Sequence, residues 1–164
     1  MKNIIVLCAA FVAASCSNAQ KKTTFTPEAL DEKLITLSGE SVAFSQILEK
    51  HSGKTLVIAV WASWCSDCVK AMPKFKELQA GNPNVEYVYI SMDRAEENWR
   101  AGIKKHQLVG DQYFSADGMK GSFAKSVDLD WIPRYIVVDK TGKIAIYRAI
   151  ETDFEQINAT LKTL

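Results

Sequence analysis

Thr55-Leu56-Val57-Ile58-Ala59-Val60-Trp61-Ala62-Ser63-Trp64-Cys65-Ser66-Asp67-Cys68 passes from a nearly continuous apolar run into a pair of cysteines with two residues between them. Residues 55–62 have the character of a strand buried on both faces, as at the centre of a sheet covered by helices. Beyond the cysteines, Val69, Met72, Phe75 and Leu78 recur at threes. That spacing predicts the buried face of a helix, with Pro73 as a kink inside it. A Cys-x-x-Cys between a buried strand and a helix points to redox chemistry. Cys65 falls at or just before the helix start. Free backbone N–H groups and the positive end of the helix dipole favour a thiolate there, and the thiolate is the form that attacks disulfides. Cys68 lies one turn on, within reach of a mixed disulfide formed at Cys65.

Towards the N-terminus, Lys2 precedes an apolar run over residues 4–14 that contains Cys8. The run is too short for a stable membrane span and has the pattern of a secretory signal. It ends in Ala13-Ala14-Ser15-Cys16, which resembles the bacterial lipobox, with Ala13 where Leu is usual. An ordinary signal cut near Ala19 is the alternative. The expected organisation is a signal peptide over 1–15, a lipidated Cys16 opening a polar and basic tether over 16–33, and one domain over 34–164. Cys8 would then leave with the signal and Cys16 would carry lipid, so Cys65 and Cys68 would remain as the thiol pair. In an oxidising compartment that pair would tend to form a disulfide. So small a loop restrains little chain entropy, which makes structural stapling a poor reason for it. The 164 residues suit one domain, and 20 basic against 19 acidic side chains leave a net charge of +1. That balance gives no electrostatic ground for binding nucleic acid.

The remaining elements follow from patterning. Residues 34–37 and 42–44 flank Ser38-Gly39-Glu40-Ser41 as a hairpin-like start, and 45–50 reads as a short helix. Residues 85–92 are rich in β-formers. Residues 96–106 look helical, with Trp99 and Ile103 four apart, and 118–127 carries another short helical pattern. Residues 135–138 and 144–147 flank Asp139-Lys140-Thr141-Gly142-Lys143, a hairpin with a glycine available for positive φ. Thr152-Asp153-Phe154-Glu155 fits a capping box before a last helix with Phe154, Ile157 and Leu161 as its buried stripe. Strands alternate with helices and a hairpin closes the series, so the expected class is α/β with a mixed central sheet flanked by helices.

Trp61-Ala62-Ser63-Trp64-Cys65-Ser66-Asp67-Cys68 resembles the active-site segment of thioredoxins. Ile132-Pro133, followed by Arg134 and an apolar strand, resembles the loop those proteins place opposite the dithiol, with a cis proline. The N-terminal β extension and the insertion before the cis-Pro strand resemble the TlpA/ResA-type thiol–disulfide oxidoreductases, which are exported and membrane-tethered. The resemblance implies a thioredoxin fold, Cys65 as nucleophile, Cys68 as resolving thiol, and a redox-active Cys65–Cys68 disulfide. It implies that the backbone of Ile132 pairs with an extended substrate beside Pro133. It also makes Trp64 an apolar rim next to Cys65, and sets Ser66 and Asp67 between the thiols. No bound cofactor is implied. The implied partners are protein disulfides and a membrane thiol electron donor, at the periplasmic side of a bacterial membrane, with a monomer expected. Cytochrome c maturation is a role this branch often fills. Two carboxylates found in such proteins are missing: Ala59 stands six residues before Cys65, and Ala71 three after Cys68. Asp67 is the nearest acid in sequence. It is either a first-turn helix acid or a charge that raises the Cys65 thiol or accepts the Cys68 proton.

Two other functions are weighed against this one. A thioredoxin-fold peroxidase wants a lone peroxidatic cysteine, whereas this chain offers a close pair. A non-catalytic binding module has no need of an intact dithiol with Trp64 and Ile132-Pro133. Zinc typically takes two ligand pairs, and His51 and His106 are lone and distant, expected at the surface, so no metal site is expected. Trp61, Tyr87, Tyr89 and Phe123 are expected in the core. Trp99 is ambiguous, and Trp131 is assigned to core or loop packing, with the substrate rim as the alternative.

Overall fold

The computed structural model describes residues 22–164; the expected signal peptide, Cys16 and the first part of the expected tether lie outside the described residues. Its frame is a mixed sheet of 7 strands in the order β2-β1-β5-β4-β3-β6-β7. The strands are β1 Lys33–Thr36, β2 Ser41–Ala43, β3 Leu56–Trp61, β4 Glu86–Ser91, β5 Asp111–Phe114, β6 Arg134–Val138 and β7 Ile144–Ala149. The helices are α1 Pro27–Asp31, α2 Phe44–Lys50, α3 Ser66–Gly81, α4 Glu96–His106, α5 Ser122–Ser126 and α6 Phe154–Leu161, with a 3-10 turn at Gly118–Lys120. Every residue of β3 is buried, which is why its sequence is a continuous apolar run and not an alternating one. β3 runs parallel to β4 and antiparallel to β6.

Right-handed crossovers from β3 through α3 to β4, and on through α4 to β5, set α3 and α4 on one face. Lys76 of α3 donates to the His106 carbonyl, and Gln79 to the Val109 carbonyl. α6 joins this layer through Phe154, which packs on Phe75 and Tyr135. The other layer gathers α1, α2 and α5 around Phe25, Phe44 and Phe123, whose rings meet edge to face.

Several expectations are corrected. The tether over 16–33 does not describe its last part. Phe25 is buried, Thr26 caps α1 with Pro27 at its first turn, and the Ile144 N–H donates to the Thr23 carbonyl. Thr-Pro is a helix-start signature, and Phe25 has apolar area to bury. The strand β5 escapes a reading by pattern because Asp111-Gln112-Tyr113-Phe114 is short and half polar. The 118–127 segment divides at Gly121 into the 3-10 turn and α5. At α6 no capping box forms: the Asp153 side chain accepts from the Ile150 N–H behind it and makes no bond to the first turn of the helix. His51 is buried, its Nε2 3.1 Å from the Asp111 carboxylate.

Candidate active site

The apolar run ends at Ala62, the chain turns through Ser63 and Trp64, and Cys65 becomes the N-cap of α3. Its Sγ lies 3.1 Å from the Cys68 N–H, one of the free donors of the first turn. The two sulfurs are joined as a disulfide, with the Cα atoms 5.2 Å apart. Both cysteines are buried, Cys68 more deeply than Cys65. The first turn thus offers donors to whichever charge develops on Cys65 when the bond opens.

The Ile132–Pro133 peptide is cis. The loop brings the Ile132 carbonyl oxygen to 3.6 Å from the Cys65 Sγ. Beneath Cys68 lies a cavity of about 10 Å³ whose walls include Ala59, Phe75, Tyr89, Pro133 and Tyr135. In register, Ala59 pairs with Tyr89 on one side and Tyr135 on the other, so two phenols flank the alanine. Burial, first of all, pushes both phenols well above the ordinary tyrosine range. They are donors at neutral pH and not bases.

The predicted site residues divide into those brought together and those left at the margin. Cys65, Cys68, Ile132 and Pro133 converge. Trp64 is 54% exposed beside Cys65, and Trp131 is 57% exposed on the loop leading to Ile132, so Trp131 is not part of the core. Ser66 is exposed. Asp67 is half-exposed in the first turn of α3, 3.6 Å from Lys70. Trp99 is fully buried and stacks on Phe114.

One residue was not found by sequence reasoning. Asp93, just past β4, is fully buried. Its carboxylate accepts from the Ser63 N–H at 3.1 Å, from the Ser63 hydroxyl at 2.6 Å and from the Ser91 hydroxyl at 2.8 Å. It fastens the turn that delivers Trp64 and Cys65. The available signal was an acid placed directly after a β-rich run, where two parallel strands end side by side. Arg134 is also buried, paired with Asp130, which in turn pairs with Arg148. Hydrogen bonding to Arg134, first among the causes, holds the Asp130 carboxyl below the usual range.

Residues 53–144 match the thioredoxin-like family. The chain is 24% identical over 147 residues to the thiol–disulfide oxidoreductase ResA of Bacillus thuringiensis subsp. konkukian, covering 88% of this chain and 81% of that one. Among solved structures, a thiol–disulfide oxidoreductase from Bacteroides fragilis superposes with a TM-score of 0.67 at 29% identity, covering 81% of this chain and 96% of that one. A secreted disulfide oxidoreductase of Mycobacterium tuberculosis, homologous to the DsbE of Escherichia coli, superposes with a TM-score of 0.65 at 20% identity, over 85% of this chain and 100% of its own. With a dithiol at the N-cap of a helix, a cis-proline loop against its sulfur and this match over more than half its length, the chain belongs to the thioredoxin-like family.

Proposed function

We propose that this thiol–disulfide oxidoreductase reduces disulfides of exported proteins, with Cys65 as nucleophile and Cys68 as resolving thiol. The observation that carries the reading is the position of the Cys65 Sγ, at the start of α3 and 3.6 Å from the Ile132 carbonyl of the cis-proline loop. An extended substrate strand laid along the backbone at Ile132 brings its own disulfide over that sulfur. The Cys65 thiolate attacks one substrate sulfur, and the other leaves as a thiol. Cys68 then attacks Cys65, the second substrate sulfur leaves, and the pair is left as the Cys65–Cys68 disulfide. Two electrons have passed to the substrate, and a membrane thiol donor restores them without a bound cofactor.

The setting is read from the sequence. A signal over 1–15 directs export, and a lipidated Cys16 holds the domain at the periplasmic side of a bacterial membrane, as a monomer. Cytochrome c maturation is the pathway proposed for it. Asp67 favours the reducing direction, because a negative neighbour destabilises the thiolate and so the reduced form. One pKa unit at Cys65 corresponds to about 1.4 kcal/mol, or about 30 mV for this couple. Lys70 beside Asp67 offsets part of that effect.

Insulin reduction by the wild type and by Cys65→Ser tests the reading. The variant is expected to lose all activity above the uncatalysed rate; equal rates would overturn the enzyme reading. A reduction potential of about −120 mV, the strongly oxidising end of this class, would overturn the proposed direction.

A further inference from the structure

A buried thiol that must attack has to lose a proton, and a neighbouring base makes that loss fast. The cavity under Cys68 supplies no base. Its ionisable members besides the thiol are Tyr89 and Tyr135, both held protonated by burial. Ala59 in its wall on β3 and Ala71 on α3 bring no ionisable group.

Resting on the proposed roles of Cys65 and Cys68, we propose that Glu151, acting through Tyr135, receives the proton that Cys68 loses as it resolves a mixed disulfide. The β6–β7 ladder provides the geometry. Tyr135 pairs with Ala149 at the open end of that antiparallel ladder. Counted two positions further along each strand, past the last pair of the ladder, Pro133 falls level with Glu151. Paired residues share a face of the sheet, and Pro133 and Tyr135 both line the cavity under Cys68. Glu151 follows just after the end of β7 and lines a groove with α3, so it stands on the side of the sheet where the dithiol helix packs.

Two further observations agree. Glu151 lines a groove of about 860 Å³ between α3 and α6, together with Asp67, Ala71 and Phe154. The groove wall therefore brings a carboxylate from beyond β7 to the face of α3 that carries Ala71, about one turn past Cys68. The Glu151 Oε2 is buried and has no hydrogen-bond partner. A buried acceptor left unsatisfied is costly unless it serves a purpose. The Glu151 charge also adds to the upward push on Tyr135, after burial and Tyr89. The charged groups facing Glu151 across the groove are Asp67, Lys70, Lys74 and Glu77 of α3, with Glu155 and Lys162 from the α6 segment. Among the described residues none of the lysines pairs with Glu151.

The step balances as follows. The Cys68 S–H proton passes to the Tyr135 oxygen while the phenol proton passes to Glu151. The Cys68 sulfur bonds to the Cys65 Sγ, the bond from Cys65 to the substrate sulfur breaks, and the substrate leaves as a thiolate. Glu151 returns the proton to that thiolate through the groove. Over the two exchange steps the cysteine pair is oxidised by two electrons and the two sulfurs of the substrate disulfide are together reduced by two.

The test follows reduced, full-length protein reacting with oxidised glutathione, with the lifetime of the Cys65–glutathione mixed disulfide read by acid quench and mass spectrometry across pH. Glu151→Gln is expected to lengthen that lifetime at least about tenfold at neutral pH, with the gap closing in alkali where hydroxide takes the proton. Tyr135→Phe, which keeps the ring packed on Phe75 and Phe154, is expected to give the same defect, and the double variant to be no slower than either. Glu151→Asp is expected to recover part of the rate. A lifetime and pH profile unchanged in Glu151→Gln would overturn the proposal, as would a slowing that is equal at every pH, the mark of a purely structural role. A wild type that forms no mixed disulfide with glutathione would instead overturn the thiol–disulfide reading beneath it.

Discussion

Asp93 is the residue on which the active-site turn hangs, since one buried carboxylate satisfies the Ser63 N–H, the Ser63 hydroxyl and the Ser91 hydroxyl together. Asp93→Ala leaves those donors without an acceptor in a site closed to water. It is expected to cost about 1–3 kcal/mol in chemical denaturation. Asp93→Asn keeps one carbonyl oxygen and can donate to a hydroxyl, so it should cost clearly less. Equal losses from the two would sink the hydrogen-bond account. At this scale the sequence exposes chemistry whose partners are close along the chain. Cys65 and Cys68 are one helical turn apart, and the residue types name the reaction. Asp93 and Ser63 are joined only because β3 and β4 end side by side, and Glu151 meets the dithiol only through the β6–β7 register. An isolated acid in a sequence gives no sign of either meeting. His51 misled for the same reason, since Asp111 and Glu86, which make its burial tolerable, arrive from β5 and β4.

Among the elements, the contact between β3 and α4 controls how closely that helix can lie against the sheet. Gly102 stands where an added Cβ would come within 2.9 Å of the Trp61 ring and 3.0 Å of the Ser63 Cβ. Trp61 is itself buried and has no room to retreat. Gly102→Ala is therefore expected to cost about 1–3 kcal/mol, seen as a lower melting temperature. An unchanged melting temperature would mean that α4 shifts outward freely. Periodicity located α3, where Val69, Met72, Phe75 and Leu78 form a long apolar stripe, and the Trp99–Ile103 spacing was enough for α4. It failed at β5, where a four-residue strand leaves too little pattern to read. It also failed at the start of α6, where Asp153 turns backward to Ile150 and not forward into the helix. Local side-chain bonds compete with caps in this way, and the sequence of a capping box does not decide between them.

The whole molecule begins earlier than its hydrophobic pattern indicates. Phe25 closes the α1–α2–α5 layer against Phe44, and Thr23 accepts from Ile144 at the start of β7. Phe25→Ala is expected to destabilise the domain by about 3 kcal/mol, near the lower end for a buried phenylalanine. A chain starting at residue 34 should melt well below one starting at residue 22, and coincident melting curves would show that this segment adds nothing. The order of the sheet also has a consequence in time. β1 reaches the sheet through β5 alone, with Ile35 beside Phe114 and Thr36 beside Tyr113. A β1–β2 hairpin is marginal without further strands. A chain delivered N-terminus first at about 5–20 residues per second must therefore hold its opening hairpin unsealed for seconds, until residue 114 has emerged. The first strands of the domain to appear thus wait for the fifth, and they spend that interval open to chaperones and proteases.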